Sequence, residues 1–492
     1  MRLYHKASAV LACLGTALAF EPLVPGFIKN NHGESVAKLT EISSSRSAAV
    51  SLKEQTVLGA SNSSSDVTVT LGTGIQLLET DSEQNSFFLN VTVGDESVPL
   101  LLDTGSPYLW VYASDCESDA CENKTTLSLP SDDKTTSTFS LAYTSGTASG
   151  KIATEDVTVA GLTAEDFNIG YASTVPSIFE NYPFSGVLGL PSDNSSSASL
   201  ENVITALRQQ GSISESTFSL ILGNLTVETA GAGLLIIGQD LEELYSGDFY
   251  TVDVIQNSAS YWKIQVDGLF VDDDAVKAKN ASSKLSGNAI LDSGTTGIIL
   301  SLADAQYLHS YFDNSISDGN SFAILCNSTK EISFEIGGHN WTLTSSDYLG
   351  SAYSSESDYY GYCISNIQGL DVTSEKLWIL GGLFLKKVYS RFDYGNQQVG
   401  LAERYYNINV VSESTTAAAA AQASTATQTT STLQTITTST KSSSSSSSSV
   451  SSSSSTNGNS TTSSTQAQNS APSTQPFRYA FVLIPVIALI LI

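Results

Sequence analysis

The sequence is poor in basic residues. It contains 22 Lys and Arg residues against 49 Asp and Glu residues, which gives a formal net charge of −27. A surface this acidic repels a phosphate backbone, so the composition argues against nucleic acid as a partner. It also suits an acidic medium, because protonation first relieves the large negative self-repulsion.

Histidine is scarce as well. Of the four histidines, two lie in the N-terminal leader, which leaves His309 and His339. Neither Gly-x-Ser-x-Gly nor a papain-like cysteine context occurs. A serine or cysteine hydrolase is therefore disfavoured, because both need a histidine beside the nucleophile.

Five cysteines occur, and Cys13 lies in the leader. The other four have no CxxC spacing and no suitably spaced histidine, which disfavours a zinc site. Four cysteines in an exported protein predict two disulfides and allow three pairings. Locality favours Cys116–Cys121 and Cys326–Cys363.

The N-terminus predicts export. In residues 1–19, Arg2 and Lys6 precede a largely apolar run that ends in Ala17-Leu-Ala19. This is the layout of a signal peptide with a small-residue cleavage site. Residues 20–75 are polar and Ser-rich, and we interpret them as a pro-segment.

The C-terminus predicts a lipid anchor. Ala480–Ile492 is apolar but shorter than the roughly 20 residues of a spanning helix. A polar spacer and the triplet Asn469-Ser-Ala471 precede it. Residues 470–492 therefore resemble a GPI-attachment signal, with Asn469 as the candidate attachment residue. A tail-anchored helix is the weaker alternative.

Residues 412–475 are rich in Ser, Thr and Ala and contain almost no large apolar residues. Such a segment cannot bury enough surface to fold, and its placement indicates a stalk. N-glycosylation sequons also fit an exported protein. They begin at Asn62, Asn90, Asn123, Asn194, Asn224, Asn280, Asn327, Asn340 and Asn459.

Residues 76–410 form the predicted folded body, with short strand-like runs and two helices, capped by Ser199 and Ser301. One pattern occurs twice in it. Leu101-Leu-Asp103-Thr-Gly-Ser106 is followed by Gly186-Val-Leu-Gly189, and Ile290-Leu-Asp292-Ser-Gly-Thr295 by Trp378-Ile-Leu-Gly381. This repetition predicts two duplicated β lobes, at about 76–245 and 246–410.

In each copy, apolar residues end a buried strand that delivers an aspartate to a tight loop. The glycine permits close backbone approach, and the hydroxyl residues can hydrogen-bond the acid. Two carboxyls brought together cannot both ionise, so the pair shares one proton. The ionised partner then serves as general base on a water molecule and the protonated partner as general acid.

Ser86–Arg404 resembles the pepsin-type aspartic proteases, most of all GPI-anchored fungal members such as yapsins and candidapepsins. The resemblance implies a mainly β, bilobal fold with the active site between the lobes, Asp103 and Asp292 as catalytic residues, and no cofactor or metal. It implies that Thr104 and Ser293 lock the two loops and that Ser106 and Thr295 hydrogen-bond the acids. Gly105 and Gly294 complete the loops.

The resemblance also implies a flap over the site. Phe139–Thr147 matches the flap hairpin, with Tyr143 packed against Trp110 and with Ser145 and Gly146 contacting the substrate backbone. Ile178, Phe184 and Val187 are candidates for an apolar subsite, and their interpretation as core residues is equally open. The chain has Thr144-Ser145 where yapsins that prefer basic residues carry an acid, which puts basic specificity in doubt.

These features predict a secreted, surface-anchored monomeric endopeptidase that cleaves polypeptides at acidic pH. A non-catalytic wall protein or adhesin with the same fold is the main alternative. A glycosidase with two carboxylates is a third. The duplicated aspartate loops argue against a glycosidase, whose acids need no such symmetry.

Overall fold

The computed structural model describes residues 67–412 except 82–83, 131–136, 144–145, 193–199, 224, 226–231, 257–259 and 372–374. The predicted signal peptide, the pro-segment up to residue 66, the stalk beyond Ser412 and the anchor signal lie outside the described residues. The body of the protein lies between these segments in the sequence.

The body is mainly β, as predicted. The first half of the chain contains β1 Val67–Leu71, β2 Ile75–Thr80, β3 Phe87–Val93, β4 Glu96–Asp103, β5 Leu109–Tyr112, β6 Thr138–Tyr143, β7 Gly146–Val159, β8 Leu162–Thr174, β9 Gly186–Gly189, β10 Thr217–Leu222, β11 Gly233–Ile237 and β12 Tyr245–Asp253. The second half contains β13 Lys263–Val266, β14 Gly268–Val271, β15 Asp274–Ala275, β16 Gly287–Leu291, β17 Ile298–Leu300, β18 Ile316–Ser317, β19 Phe322–Leu325, β20 Ile332–Ile336, β21 His339–Leu343, β22 Leu349–Ala352, β23 Tyr362–Ser365, β24 Ile367–Gly369, β25 Trp378–Leu380, β26 Val388–Asp393, β27 Gln398–Arg404 and β28 Ile408–Ser412.

A 13-stranded sheet contains most strands of the first half, in the order β12-β27-β26-β10-β11-β2-β3-β4-β9-β5-β8-β7-β6. Strands β26 and β27 come from the end of the body and pair next to β10, so the last part of the chain returns to the first half. The second half builds three further sheets, β13-β16-β25-β17-β24, β15-β14-β20-β21 and β18-β19-β23-β22. Each half thus holds one Asp loop on its own sheet.

The described residues include four short α-helices: α1 Val203–Gln209, α2 Leu302–His309, α3 Ser345–Tyr348 and α4 Gly382–Leu385. The cap of α1 is Asn202, whose Oδ1 accepts from the backbone N–H of Ile204 at 2.8 Å. The predicted cap, Ser199, lies outside the described residues, so the cap was placed too early. Ser301 caps α2 as predicted, accepting from the N–H of Asp304.

Strand β1 pairs in parallel with β28, from Val67 opposite Ile408 to Leu71 opposite Ser412. Val69 and Ile408 are almost fully buried against the outer face of β10, β11 and β26. Part of the predicted pro-segment therefore belongs to the folded body. Among the described residues, none of the helices has the length and apolar character that crossing a membrane requires.

Both disulfides form with the pairing that locality favoured, Cys116–Cys121 and Cys326–Cys363. Five sequon asparagines fall on described residues, and all five are solvent-exposed: Asn90, Asn123, Asn280, Asn327 and Asn340. The sequons at Asn62, Asn194, Asn224 and Asn459 lie outside the described residues, as does Asn469.

Candidate active site

The two predicted aspartates occupy matching positions at strand ends. Asp103 ends β4, which runs parallel to β9 with Asp103 opposite Gly189. Asp292 follows β16, which runs parallel to β25 with Leu291 opposite Leu380. A side chain at Gly189 would collide with the carbonyl oxygen of Tyr108. The second half shows the same constraint at its later glycine, so the repeated hydrophobic-hydrophobic-Gly pattern reflects close backbone packing beside each aspartate.

The two loops are tied together by four reciprocal hydrogen bonds. The N–H of Thr104 donates to Ser293 Oγ at 3.0 Å, and the N–H of Ser293 donates to Thr104 Oγ1 at 2.9 Å. The Thr104 hydroxyl donates to the carbonyl oxygen of Leu291 at 2.9 Å, and the Ser293 hydroxyl to that of Leu102 at 2.8 Å. All four groups are buried, where unpaired donors are costly, so the network fixes the two halves relative to each other at the dyad.

Each carboxyl is held by its own loop in the same way. Asp103 Oδ1 accepts from the N–H of Gly105 at 2.8 Å, and Oδ2 accepts from the Ser106 hydroxyl at 2.5 Å. Asp292 repeats this arrangement with the N–H of Gly294 at 2.9 Å and the Thr295 hydroxyl at 2.6 Å. The hydroxyl residues therefore have the contacts that the sequence predicted.

The carboxyls of Asp103 and Asp292 also face each other. They are 1% and 3% exposed and lie within hydrogen-bond reach of each other. A Cβ atom on Gly105 would lie 2.7 Å from Asp292 Oδ1, and one on Gly294 would meet the carboxyl of Asp103 equally closely. Glycine is required at both positions because each loop passes directly over the opposite acid.

Burial raises the pKa of Asp103, although its hydrogen bonds oppose the effect. Burial raises the pKa of Asp292 well above its ordinary value, and the negative charge of Asp103 raises it further. Because like charges this close in a low-dielectric site disfavour double ionisation, the pair holds one proton between its oxygens. The site thus contains one carboxyl group that can donate a proton and one that can accept a proton.

A β-hairpin formed by β6 and β7 lies next to the dyad, with Tyr143 opposite Gly146 at its tip. The indole N–H of Trp110 donates to the Tyr143 hydroxyl at 3.0 Å. Burial and the charge of Asp103 raise the pKa of Tyr143, so its hydroxyl stays protonated. The predicted contact between Tyr143 and Trp110 is confirmed, while Ser145 lies outside the described residues.

Phe179 is a contributor that sequence reasoning missed. It is fully buried, and its ring packs edge-on against Tyr143 at 5.5 Å and against Trp110 at 5.7 Å between centroids. Phe179 lies in a short 3-10 helix at Ser177–Phe179. The signal that the sequence offered was its position directly after another apolar residue, Ile178. Without the fold, that signal does not distinguish which of two neighbouring apolar residues packs inward.

The three candidate subsite residues differ in exposure. Ile178 is half-exposed beside the hairpin. Phe184 and Val187 are fully buried, which favours their interpretation as core residues. No group of three or more His, Cys, Asp or Glu side chains among the described residues is arranged to hold a metal ion.

Comparison with known proteins agrees with this geometry. The model of the eukaryotic aspartyl protease family matches residues 86–404. A probable aspartic-type endopeptidase CTSD of Arthroderma benhamiae is 32% identical over 336 residues, which cover 67% of this chain and 63% of the relative. The aspartic-type endopeptidase ctsD of Aspergillus fumigatus is 29% identical over 68% of both chains. Bovine pepsin A is 30% identical over 64% of this chain and 83% of its own.

The match thus spans less than two thirds of the Arthroderma relative. The family model's match to residues 86–404 includes both Asp loops, the hairpin and the two later glycine segments. The chain belongs to the eukaryotic aspartyl protease family.

Proposed function

We propose that this protein is an aspartic endopeptidase in which Asp103 and Asp292 together activate a water molecule for attack on a peptide bond. The proposal rests on one observation: two buried carboxyls face each other, and each accepts the same pair of hydrogen bonds from its own loop. A structural role alone would not require two buried acids to share a proton, which costs stability without a catalytic return.

In the proposed reaction, the ionised carboxylate takes a proton from a water held between the two acids, and the water oxygen attacks the scissile carbonyl carbon. The protonated partner donates to the carbonyl oxygen and stabilises the tetrahedral intermediate. A proton then passes to the leaving nitrogen as the C–N bond breaks. The hydroxyls of Ser106 and Thr295 orient the acids. Gly105 and Gly294 lack a side chain and so leave room for the opposite carboxyl.

The hairpin that carries Tyr143 closes over the substrate in this proposal. Closure excludes bulk water and strengthens the electrostatics of the site. Trp110 and Phe179 hold the Tyr143 ring in position, and the tip residues Ser145 and Gly146 contact the substrate backbone.

The test uses the purified full-length protein with an unfolded protein substrate at acidic pH. We expect pepstatin-sensitive internal cleavage, abolished by Asp103→Asn and by Asp292→Asn. Asp393→Asn is the matched control, because Asp393 is also buried but lies outside the dyad, where it caps a turn at Asn396. Absence of pepstatin-sensitive peptides from correctly processed wild-type protein would refute the proposal.

We further propose that the protein acts at the cell surface as a glycosylated monomer, carried on the Ser/Thr-rich stalk and held by a GPI lipid. The signal-like N-terminus, the apolar C-terminal segment and the exposure of five sequon asparagines support this location. Phosphatidylinositol-specific phospholipase should release the protein from membranes, and an endoglycosidase should lower its apparent mass. Retention after phospholipase treatment would favour a membrane helix.

A further inference from the structure

The duplicated sheets carry matching rows of side chains across the face that holds the aspartates. In the first half, the strand register aligns Phe88 with Leu101, Leu101 with Val187, and Val187 with Trp110. Leu101 lies two residues before Asp103, so strand alternation directs both side chains to the same face. This row is apolar from end to end.

In the second half, the equivalent register aligns Lys263 with Ile290, Ile290 with Ile379, and Ile379 with Ile299. Ile290 lies two residues before Asp292, just as Leu101 precedes Asp103. The position that Phe88 occupies in the first row is therefore taken by Lys263 in the second. The duplication places a cation where its counterpart has an aromatic ring.

The two rows meet near the dyad. Phe88, Leu101 and Ile290 belong to one buried apolar cluster, together with Tyr261 and Leu377. The neighbouring residues on the opposite face, such as Leu102 and Leu291, enter the main core instead. Lys263 thus lies on the face of its sheet that carries Asp292, at the edge of the cluster that joins the halves.

Within the described part of the chain, the ammonium of Lys263 has few acceptors for a buried charge. The residue is 6% exposed, and of the described residues one carboxylate, Glu375, accepts from it, at 3.2 Å. An ammonium has three donors, and a buried charge is costly unless it is paired and hydrogen-bonded. Glu375 is itself 62% exposed, so it can turn into water and leave the ammonium to another acceptor.

We propose that Lys263 is a substrate-binding residue that gives the Asp292 side of the cleft a subsite for a carboxylate, carried by an Asp or Glu side chain of the polypeptide. A substrate carboxylate replaces that of Glu375, so the exchange leaves the buried charge balanced. The cation also offsets, locally, the repulsion that a protein of net charge −27 exerts on acidic substrates. This inference rests on the proposed endopeptidase function and specifies its substrate class.

The test compares peptide pairs that differ only by Glu or Gln, placed in turn at each position within about three residues of the scissile bond, where an extended chain still contacts one cleft. Assays at about pH 5.5 keep the substrate Glu ionised. At one position we expect wild-type kcat/KM to favour the Glu peptide about tenfold, the value of one charge-assisted hydrogen bond.

Lys263→Gln should remove this preference, Lys263→Arg should retain it, and Glu375→Gln should increase it by removing the competing carboxylate. Lys284→Gln is the matched control, because Lys284 also pairs with a glutamate, Glu335, but on the separate β14–β20 sheet. It should leave the Glu-to-Gln ratio unchanged.

A wild-type enzyme that cleaves the peptides without preferring Glu at any position overturns the inference, as does an unchanged ratio in Lys263→Gln. If the Lys263 variants do not fold, Glu375→Gln alone decides, and an unchanged ratio there counts against the subsite. Failure of the wild type to cleave any peptide instead contradicts the proposed function.

Discussion

His309 should make the protein lose stability in acid. It lies at the end of α2, fully buried, with its ring stacked on Phe322 at 4.0 Å between centroids. Its Nδ1 is 2.7 Å from the carbonyl oxygen of Ala305, which can only accept, so Nδ1 carries the proton. Nε2 then accepts from the Ser365 hydroxyl at 2.9 Å. The neutral ring fits this network, whereas a second proton on Nε2 would face the hydroxyl hydrogen.

Burial lowers the pKa of His309 to about 4, against an ordinary value of 6.5. Because the pKa of His309 is lower in the folded state, the unfolded chain binds a proton that the folded chain does not bind at any pH between these two pKa values. Stability is therefore complete above about pH 6.5 and is lost progressively as the pH falls towards 4. At 1.36 kcal/mol for each pH unit, the loss is about 3 kcal/mol, a large share of a typical folding free energy.

The measurement is urea unfolding at about pH 7 and about pH 4.5, above and within the titration range of His309. Every protein carries Asp292→Asn, which prevents self-digestion by the proposed activity and leaves Asp103 as a dyad carboxyl common to all the proteins compared. His309→Phe keeps the stacking but loses both hydrogen bonds, so it should be less stable at neutral pH and should lose less stability on acidification.

The control, Ser365→Ala, keeps the titrating ring and should retain most of the pH dependence. If His309→Phe and its parent lose the same free energy between the two pH values, the burial argument for His309 is wrong.

Three further predictions concern the dyad and the β1–β28 pair. Ser293→Ala leaves the buried N–H of Thr104 without its acceptor, so it should cost about 1–3 kcal/mol in urea unfolding and should lower kcat. Val69→Asp places a charge at a site 2% exposed and should cost at least about 2 kcal/mol, whereas exposed Thr70→Asp should stay within about 0.5 kcal/mol; equal melting temperatures would contradict the packing role of β1. The pKa of Asp292 is raised in the folded state, so its contribution to stability is lost as the pH rises; Asp292→Asn should therefore raise the melting temperature at about pH 7 and have less effect in acid.

The sequence predicted the features that repeat. Two Asp loops, each with an apolar lead-in and a later glycine, defined the dyad and its hydroxyl partners, because each constraint leaves a local trace in residue type. Ser301 was found as a cap for the same reason. Asn202 was not, since a run of Ser and Asn residues offers several equivalent caps and tertiary packing selects among them.

Features that depend on register could not be found in this way. Lys263 becomes significant only when strands distant in sequence are aligned. Phe179 becomes significant only when the fold packs its short 3-10 helix against Tyr143 and Trp110. Strand β1 was assigned to the pro-segment because residues 20–75 are polar and Ser-rich with little sustained periodicity, and the five residues Val-Thr-Val-Thr-Leu are too short a run to stand out. It is stable through pairing with β28, at the other end of the described chain. Isolated short strands carry little signal when the partner is so distant.

The buried titratable groups impose opposite pH limits on this fold. The dyad disfavours a second negative charge, so it lowers the stability of the fold towards neutral pH, where both carboxyls tend to ionise. His309 disfavours a positive charge, so its cost falls on the acidic side, towards pH 4. The shared proton that the proposed reaction needs is retained by lowering the pH, which is the same change that charges His309. Removing the histidine should therefore extend the acidic limit of stability without altering the dyad, whereas removing a dyad acid should extend the neutral limit and abolish cleavage.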